Sequence, residues 1–261
     1  MATKKYKNYL IDLDGTMYQG TKQIPEAKKF IDRAVNDPEV NYYFLTNNTT
    51  KTVQQVASNL NNNHQIKADE NQIITPSLAT AFYLQEENDD LSQKSVYVIG
   101  EAGLKDAIYS TGIKYNEFDP DYVIVGLDTD VTYHKFELAT LAIKRGAKFI
   151  GTNRDTNLPN ERGLVPGAGS VVSLVETATQ QVATYIGKPD RPIIDFALEK
   201  FGLEKSETVM VGDNYQTDIL SGIQNGLATL LVYSGVSTKE QVAQKEKQPT
   251  FEVDSLDEWV F

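Results

Sequence analysis

The sequence predicts an α/β protein with doubly wound parallel sheets. Short apolar runs, each about as long as a β-strand, alternate with segments of helical periodicity along the chain. Alternating strands and helices favour parallel sheets that are covered by helices. A chain of 261 residues is also long for one simple domain, so we expect two.

The first part of the chain predicts three strands, each followed by a helix. The strands are Tyr9 to Leu13, Tyr42 to Leu45 and Gln72 to Thr75. Pro25 and Pro76 open the first and third helices, since proline is tolerated at the first helical position. We predict that the helix between them runs from Thr52 to Leu60, and we interpret Asn61 to Asn63 as its end and turn.

The same alternation then starts again and continues to the last strands. The predicted strands are Ser95 to Ile99, Tyr122 to Val125, Lys148 to Ile150, Thr208 to Val211 and Thr229 to Val232. The predicted helices are Leu104 to Ser110, Tyr133 to Arg145, Gly169 to Thr179 and Asp218 to Gln224.

The composition excludes several classes of function. A net charge of -11 argues against nucleic acid or an anionic membrane as a partner, but not against a small anionic substrate. The absence of cysteine excludes disulfides and a cysteine nucleophile. No apolar stretch approaches membrane-spanning length, and Met1 to Lys5 lacks the apolar core of a signal peptide, so we expect a cytoplasmic protein. We interpret His64 and His134 as surface or core residues without a catalytic partner.

The most informative segment is Asp12-Leu13-Asp14-Gly15-Thr16, directly after the first apolar strand. Two carboxylates this close repel each other and raise each other's pKa unless a cation or proton separates them. Mg²⁺ binds hard oxygen ligands and usually takes one or two carboxylates. The carboxyl ends of strands are also where open α/β sheets bind ligands. The segment therefore predicts a metal-dependent carboxylate site.

Three further segments carry polar groups that fit the same site. Thr46-Asn47-Asn48 and Gly212-Asp213-Asn214 each follow a predicted strand, and Asp218 comes shortly after the second. Lys188 stands between a glycine and a proline, where a helix cannot easily continue. We therefore expect Lys188 to lie on a loop that orients it.

Together these four motifs, in this order, resemble the haloacid dehalogenase (HAD) superfamily. Further segments resemble its subfamily IIA, the NagD-like phosphatases: Asp14 to Tyr18 with Ile24-Pro25, Leu45 to Asn48, and Gly151 to Asn153 with Asp155. The resemblance implies a Rossmann-like core formed by residues 1–79 and 185–261. It also implies an inserted α/β cap domain of the C2 type at residues 80–184.

The resemblance also implies a role for each motif residue. Asp12 resembles the nucleophile that forms an aspartyl phosphate, and Asp14 the general acid and base. The implied cofactor is Mg²⁺, held by the carboxylates of Asp12 and Asp213 and by the main-chain carbonyl of Asp14.

The remaining motif residues are expected to bind phosphate or to support the site. The Thr46 hydroxyl and the Asn47 backbone N–H would donate to phosphoryl oxygens, and Lys188 would add positive charge. The supporting residues are Asp218, which would orient Lys188 or its loop, Gly15 and Asn214.

The leading functional hypothesis is a Mg²⁺-dependent phosphatase that hydrolyses small phosphomonoesters, such as nucleotides or sugar phosphates. One alternative is a phosphotransferase or phosphomutase of the same superfamily. The other is a phosphate-responsive signalling module, in which the second acid of the pentad has no role. The expected partner is a small phosphorylated metabolite, with no nucleic acid and no membrane, and the protein is expected to be a monomer or homodimer.

Substrate specificity is predicted to lie in the middle of the chain. The stretch from Thr152 to Pro166 follows a strand and is rich in polar and turn-forming residues, so we expect a recognition loop there. On this hypothesis, changing Asn153 or Asp155 alters the ranking of substrates.

Overall fold

The protein is described from a computed structural model, which covers residues 6–160 and 162–261. The expectation about Met1 to Lys5 and the Glu161 part of the predicted recognition loop therefore lie outside the described residues. The strands are β1 (Asn8–Ile11), β2 (Tyr18–Gln19), β3 (Lys22–Gln23), β4 (Asn41–Leu45), β5 (Ile73–Ile74), β6 (Ser95–Ile99), β7 (Lys114–Tyr115), β8 (Tyr122–Val125), β9 (Lys148–Gly151), β10 (Asn157–Asn160), β11 (Gly163–Pro166), β12 (Thr184–Tyr185), β13 (Thr208–Gly212), β14 (Ala228–Val232) and β15 (Phe251–Val253). The helices are α1 (Pro25–Asn36), α2 (Val53–Asn63), α3 (Pro76–Glu86), α4 (Ala102–Tyr109), α5 (Tyr133–Lys144), α6 (Ala168–Thr179), α7 (Pro192–Phe201), α8 (Leu220–Asn225) and α9 (Lys239–Ala243).

The described chain forms two compact units. Unit 1 contains residues 6–46, 53–74 and 197–261, and unit 2 contains residues 47–52 and 75–196. The predicted division into a core and a cap, with a cap at residues 80–184, stays a prediction.

Unit 1 is built on a six-stranded sheet in the order β15-β14-β13-β1-β4-β5, and all its strand pairs are parallel. The central strand β1 is buried along its whole length, as expected for a parallel strand with both faces covered. On one face, Tyr9 and Ile11 pack against Phe30 and Ile31 of α1. This packing fixes the carboxyl end of β1, which leads directly into Asp12.

Unit 2 contains a second parallel sheet in the order β12-β9-β8-β6-β7. Its core joins β6, β8 and β9 to α5 and α6 through buried residues that include Ile143 and Val172. The two sheets confirm the predicted α/β class with parallel strands.

Two local predictions are wrong. Helix α2 does not end at Leu60 but continues to Asn63. The reason is that Asn61, Asn62 and Asn63 each direct a side-chain amide to a group four residues earlier, at 2.8, 2.9 and 2.8 Å, which extends the helix by another turn.

The second error concerns the stretch predicted as a recognition loop. Part of it forms the antiparallel pair β10–β11, with Asn157 opposite Pro166 and Asn160 opposite Gly163. Its few apolar side chains, Leu158, Leu164 and Val165, do not alternate with polar residues, so the stretch lacks the periodic pattern that predicts a strand.

Among the described residues, no helix has both the length and the apolar character needed to cross a membrane.

We predict that Val209→Ala lowers the free energy of unfolding of unit 1 by about 2 kcal/mol, because it removes buried methyl groups and leaves a cavity. Val209 is fully buried in β13, opposite Tyr9. Val35→Ala is the matched control, since Val35 is 39% exposed on α1. Urea unfolding can be followed by the fluorescence of Trp259, the single tryptophan, which packs against Tyr9. Equal losses in the two variants would contradict the burial of Val209 in the core of unit 1.

Candidate active site

The carboxyl edge of the unit 1 sheet brings three aspartates together. Asp12 follows β1, and its N–H donates to the carbonyl of Val211 in β13 at 2.9 Å. Asp213 follows β13, so the parallel pairing of these strands places the two acids side by side. One carboxylate oxygen from each of Asp12, Asp213 and Asp218 lies within 4.8 Å of the other two. The sheet thus concentrates negative charge at one point.

Asp213 is as enclosed as Asp218 and more enclosed than Asp12, with 1% of its surface exposed. Its carboxylate accepts hydrogen bonds from the Thr16 hydroxyl at 3.1 Å and from the Val236 N–H at 2.7 Å. Burial and the neighbouring charge of Asp218 nevertheless raise the pKa of Asp213 to about 6. The protein groups around Asp213 therefore do not fully compensate its charge.

Glycine backbones pack directly against these carboxylates. A Cβ atom at Gly15 or Gly235 would lie well inside 3.0 Å of the Asp213 carboxylate, and one at Gly212 would clash in the same way with Asp218. Gly15 also has φ +99, a conformation that side-chain-bearing residues rarely adopt. Gly15, predicted as a supporting residue, thus permits both the turn and the close approach.

Asp218 lies in a π-helical turn that spans Tyr215–Ile219. Its carboxylate accepts from the Asn214 N–H and the Thr217 hydroxyl, both at 3.1 Å. The Asn214 side chain caps the turn by accepting from the Gln216 N–H at 2.9 Å. Asn214 therefore supports the position of Asp218.

Asp14 is exposed and is not one of the three clustered carboxylates. The Gly20 N–H lies 3.4 Å from its Oδ1 atom, and the Gly15 N–H donates to the Tyr18 carbonyl at 2.6 Å. Burial, together with the charges of Asp14 and then Asp12, raises the pKa of the Tyr18 phenol. The chain after Asp14 thus folds back beside it.

Thr46 follows β4, the strand that pairs with β1 on the side opposite β13. Its N–H donates to the Ile74 carbonyl at 3.1 Å, and its surface is 7% exposed. Thr46 therefore lies at the same edge of the unit 1 sheet as Asp12 and Asp213.

Lys188 belongs to unit 2 and lies in the turn between β12 and α7, as its place between a glycine and a proline predicts. Its side chain is buried, and Asn47 holds its backbone from both sides. The Lys188 N–H donates to Asn47 Oδ1 at 2.8 Å, and its carbonyl accepts from Asn47 Nδ2 at 2.9 Å. The neighbouring Gly187 N–H donates to the Thr152 carbonyl at 2.8 Å.

The segment of residues 152–155 strengthens this arrangement within unit 2. The Asn153 side chain is buried and donates to the Asn47 carbonyl at 2.7 Å. Arg154 forms a bidentate ion pair with Asp190, in which Nε and Nη2 donate to the two carboxylate oxygens at 2.8 and 3.1 Å. The start of the predicted recognition loop is therefore engaged in holding the lysine turn.

Sequence reasoning missed several groups that shape the site. Thr16 carried no prediction beyond its place in the segment Asp12 to Thr16, and the Val236 N–H lies in a loop after β14 that carried no prediction. This loop could have been predicted to reach the site, because Gly235 follows the end of β14, a parallel strand of the same sheet. The Asn47 side chain was also missed, since its partners lie far away in the sequence.

The donor set fits a hard divalent cation. Three carboxylates supply the oxygen ligands that Mg²⁺ prefers, and the raised pKa of Asp213 indicates uncompensated negative charge. The Asp14 side chain is outside this set, and only its main-chain carbonyl was predicted as a ligand.

Comparison with known families agrees with this geometry. Residues 9–114 match the profile of the haloacid dehalogenase-like hydrolase family, and residues 185–259 match a second HAD-hydrolase-like profile. Together the two matches include Asp12, Asp14, Lys188 and Asp213.

Named relatives and solved structures cover almost the whole chain. The 5'-nucleotidase YutF of Bacillus subtilis is 46% identical over 257 residues, 98% of each chain. An acid sugar phosphatase of Staphylococcus aureus is 46% identical over 256 residues, 98% of this chain and 97% of its own. A thermostable NPPase of Geobacillus stearothermophilus, solved as a single mutant, superposes with a TM-score of 0.91 at 46% identity, covering 98% of this chain and 99% of that one. The chain therefore belongs to the haloacid dehalogenase superfamily, in its NagD-like branch, and is a phosphatase of the HAD type.

Proposed function

We propose that this protein is a Mg²⁺-dependent phosphatase that hydrolyses small phosphomonoesters through an aspartyl phosphate on Asp12. The observation that carries the proposal is the cluster of Asp12, Asp213 and Asp218 at the edge of the unit 1 sheet, with Asp14 two residues beyond Asp12. A phosphate-responsive signalling module would have no role for this second acid. The presence of Asp14 therefore favours an enzyme that releases phosphate in repeated catalytic cycles.

The metal would be held by the carboxylates of Asp12 and Asp213 and by the Asp14 main-chain carbonyl. Asp218 is close enough to add to the same negative field. When bound, Mg²⁺ would offset the repulsion between an anionic nucleophile and an anionic phosphoryl group.

In the first half-reaction, an Asp12 carboxylate oxygen attacks phosphorus. A new phosphorus–oxygen bond forms as the bond to the ester oxygen breaks. Asp14, entering as the neutral acid, gives its proton to the leaving oxygen, so the product departs as an alcohol. Asp14 can perform this task because it is exposed and outside the buried cluster.

In the second half-reaction, the Asp14 carboxylate takes a proton from water as the water oxygen attacks phosphorus. The bond between phosphorus and the Asp12 oxygen breaks, which releases inorganic phosphate and restores the Asp12 carboxylate. The Asp14 proton is thereby restored, and the cycle balances.

Three further groups are proposed to bind the phosphoryl oxygens. The Thr46 hydroxyl and the Asn47 N–H would act as donors, and Lys188 would supply positive charge as the transition state forms. The family's motif order supports these roles, as does the position of Thr46 at the same sheet edge as Asp12.

The substrate is proposed to be a small phosphomonoester. The names of the relatives, a 5'-nucleotidase and an acid sugar phosphatase, support nucleotides or sugar phosphates as candidates. A screen for phosphate release from a phosphometabolite library, with Mg²⁺ present, tests the proposal. The cytoplasmic location and the monomeric or homodimeric state stay predictions.

We predict that Asp12→Asn abolishes turnover and leaves the fold intact. The amide keeps the size of the side chain and one oxygen but cannot attack phosphorus. Steady-state phosphate release and far-UV circular dichroism measure the two effects. Residual turnover above about a hundredth of wild type would contradict the nucleophile assignment, because covalent catalysis contributes more than that.

We also predict that chelation of divalent cations silences the enzyme and that Mg²⁺ restores it. Asp213→Ala should raise the Mg²⁺ concentration needed for half-maximal activity at least tenfold, or eliminate activity, because a carboxylate ligand is lost. Asp32→Ala is the matched control, since Asp32 is an exposed acid on α1. Full activity after exhaustive chelation would refute the metal site.

The hydrogen bonds of Asn153 predict a positioning role in place of the expected recognition role. Asn153→Ala removes a buried contact to Asn47, so kcat/KM should fall by a similar factor, about tenfold, on every phosphomonoester. Thr156→Ala, at an exposed position just beyond the segment, is the control. A changed ranking of substrates in Asn153→Ala would instead support direct recognition by Asn153.

A further inference from the structure

The chain after Asp14 forms a small flap, residues 17–23, which contains the paired strands β2 and β3. Two contacts attach the flap to the end of α2. The Tyr18 ring stacks on the His64 imidazole, with centroids 4.3 Å apart and planes 15° apart. The Gln23 side-chain amide donates to the Asn63 carbonyl at 2.6 Å. Both contacts meet the carboxyl end of α2, at Asn63 and at the residue that follows it.

The helix end that receives the flap is well ordered by its own bonds. His64 is 3% exposed, and its backbone N–H donates to the Leu60 carbonyl at 3.3 Å. The side-chain bonds of Asn61 to Asn63 extend α2 up to this residue. The imidazole is thus largely enclosed where the Tyr18 ring stacks on it.

The flap in turn contacts the Asp14 turn through its backbone. The Tyr18 carbonyl accepts from the Gly15 N–H at 2.6 Å, and Asp14 and Tyr18 form an isolated β-bridge. The Gly20 N–H lies 3.4 Å from Asp14 Oδ1. The position of the Asp14 carboxyl thus depends on the position of the flap.

We propose that His64 is a positioning residue for the general acid. Through the Tyr18 stack it holds the flap, and the flap backbone holds Asp14 where the leaving oxygen is protonated. His64 transfers no proton in this role. The inference rests on the proposed function, because it takes Asp14 as the acid.

A dependence on the leaving group distinguishes this role from general stability. The oxygen of an alkyl phosphate needs a proton to depart, whereas p-nitrophenolate is a weak base and leaves without one. A displaced acid therefore slows the alkyl ester and spares p-nitrophenyl phosphate, while a loss of folded protein reduces both rates equally.

The experiment measures kcat/KM for an alkyl phosphate and for p-nitrophenyl phosphate in wild type and in two variants of His64. In His64→Ala, kcat/KM should fall about tenfold for the alkyl ester and less than about threefold for the aryl ester. A loss of about tenfold is smaller than the full contribution of a general acid, because Asp14 is displaced and not removed. His64→Phe keeps an aromatic ring for the stack and should return the alkyl rate to within about threefold of wild type. The control is His134→Ala, because His134 is the other histidine and its side chain is 73% exposed.

Equal losses on both esters in His64→Ala, or a failure of His64→Phe to restore the alkyl rate, would overturn the proposal. If His64→Ala does not fold, Gln23→Ala takes its place, since Gln23 is exposed and forms the second contact. A selective alkyl loss of about twofold to threefold in Gln23→Ala supports the proposal, and no selective loss overturns it.

Asp14→Asn separates this inference from the proposed function. A selective alkyl loss in Asp14→Asn with none in His64→Ala refutes only the role of His64. Equal losses on both esters in Asp14→Asn refute the acid assignment and the inference with it.

Discussion

The repulsion among three clustered carboxylates is the constraint on which the site depends. Parallel pairing of β1 with β13 places Asp12 beside Asp213, and the π-helical turn brings Asp218 within 4.8 Å of both. The backbones of Gly15 and Gly235 pack against the Asp213 carboxylate, and the backbone of Gly212 packs against Asp218. The side chains of these two aspartates therefore have little freedom to move apart. Burial and, after it, the charge of Asp218 raise the pKa of Asp213. The clustered carboxylates offer the oxygen ligands that a hard cation prefers.

The proposed chemistry depends on the different environments of the clustered acids and of Asp14. The buried cluster suits a metal and an anionic nucleophile, whereas Asp14 lies outside that cluster and is exposed, so it can exchange protons with a leaving group and with water. Inside unit 2, the Asn47 side chain fixes the backbone of Lys188 with two hydrogen bonds. The amide side chains of Asn47 and Asn153 thus hold the turn that carries Lys188.

The sequence predicted the parts that depend on local pattern. Buried parallel strands read as continuous apolar runs, so the sheet and the residues at its strand ends, such as Asp12 and Asp213, could be found. The end of α2 could not be predicted, because asparagine favours helix caps and turns. Only the side-chain hydrogen bonds in the structure show that the helix continues to Asn63. The role of the Asn47 side chain and the stack on His64 depend on partners far away in the sequence, which periodicity does not reveal.

The thermal stability of the protein as Mg²⁺ is added tests the central claim most directly. The pKa of Asp213 is raised from 3.8 to about 6, so the stability that this group contributes is present at low pH and is lost as the pH rises through about 6. At pH 8, metal-free Asp213→Asn should therefore melt no lower than metal-free wild type. Mg²⁺ should raise the Tm of wild type saturably and leave that of Asp213→Asn unchanged. An equal rise in both proteins, or no rise in wild type, would contradict the account.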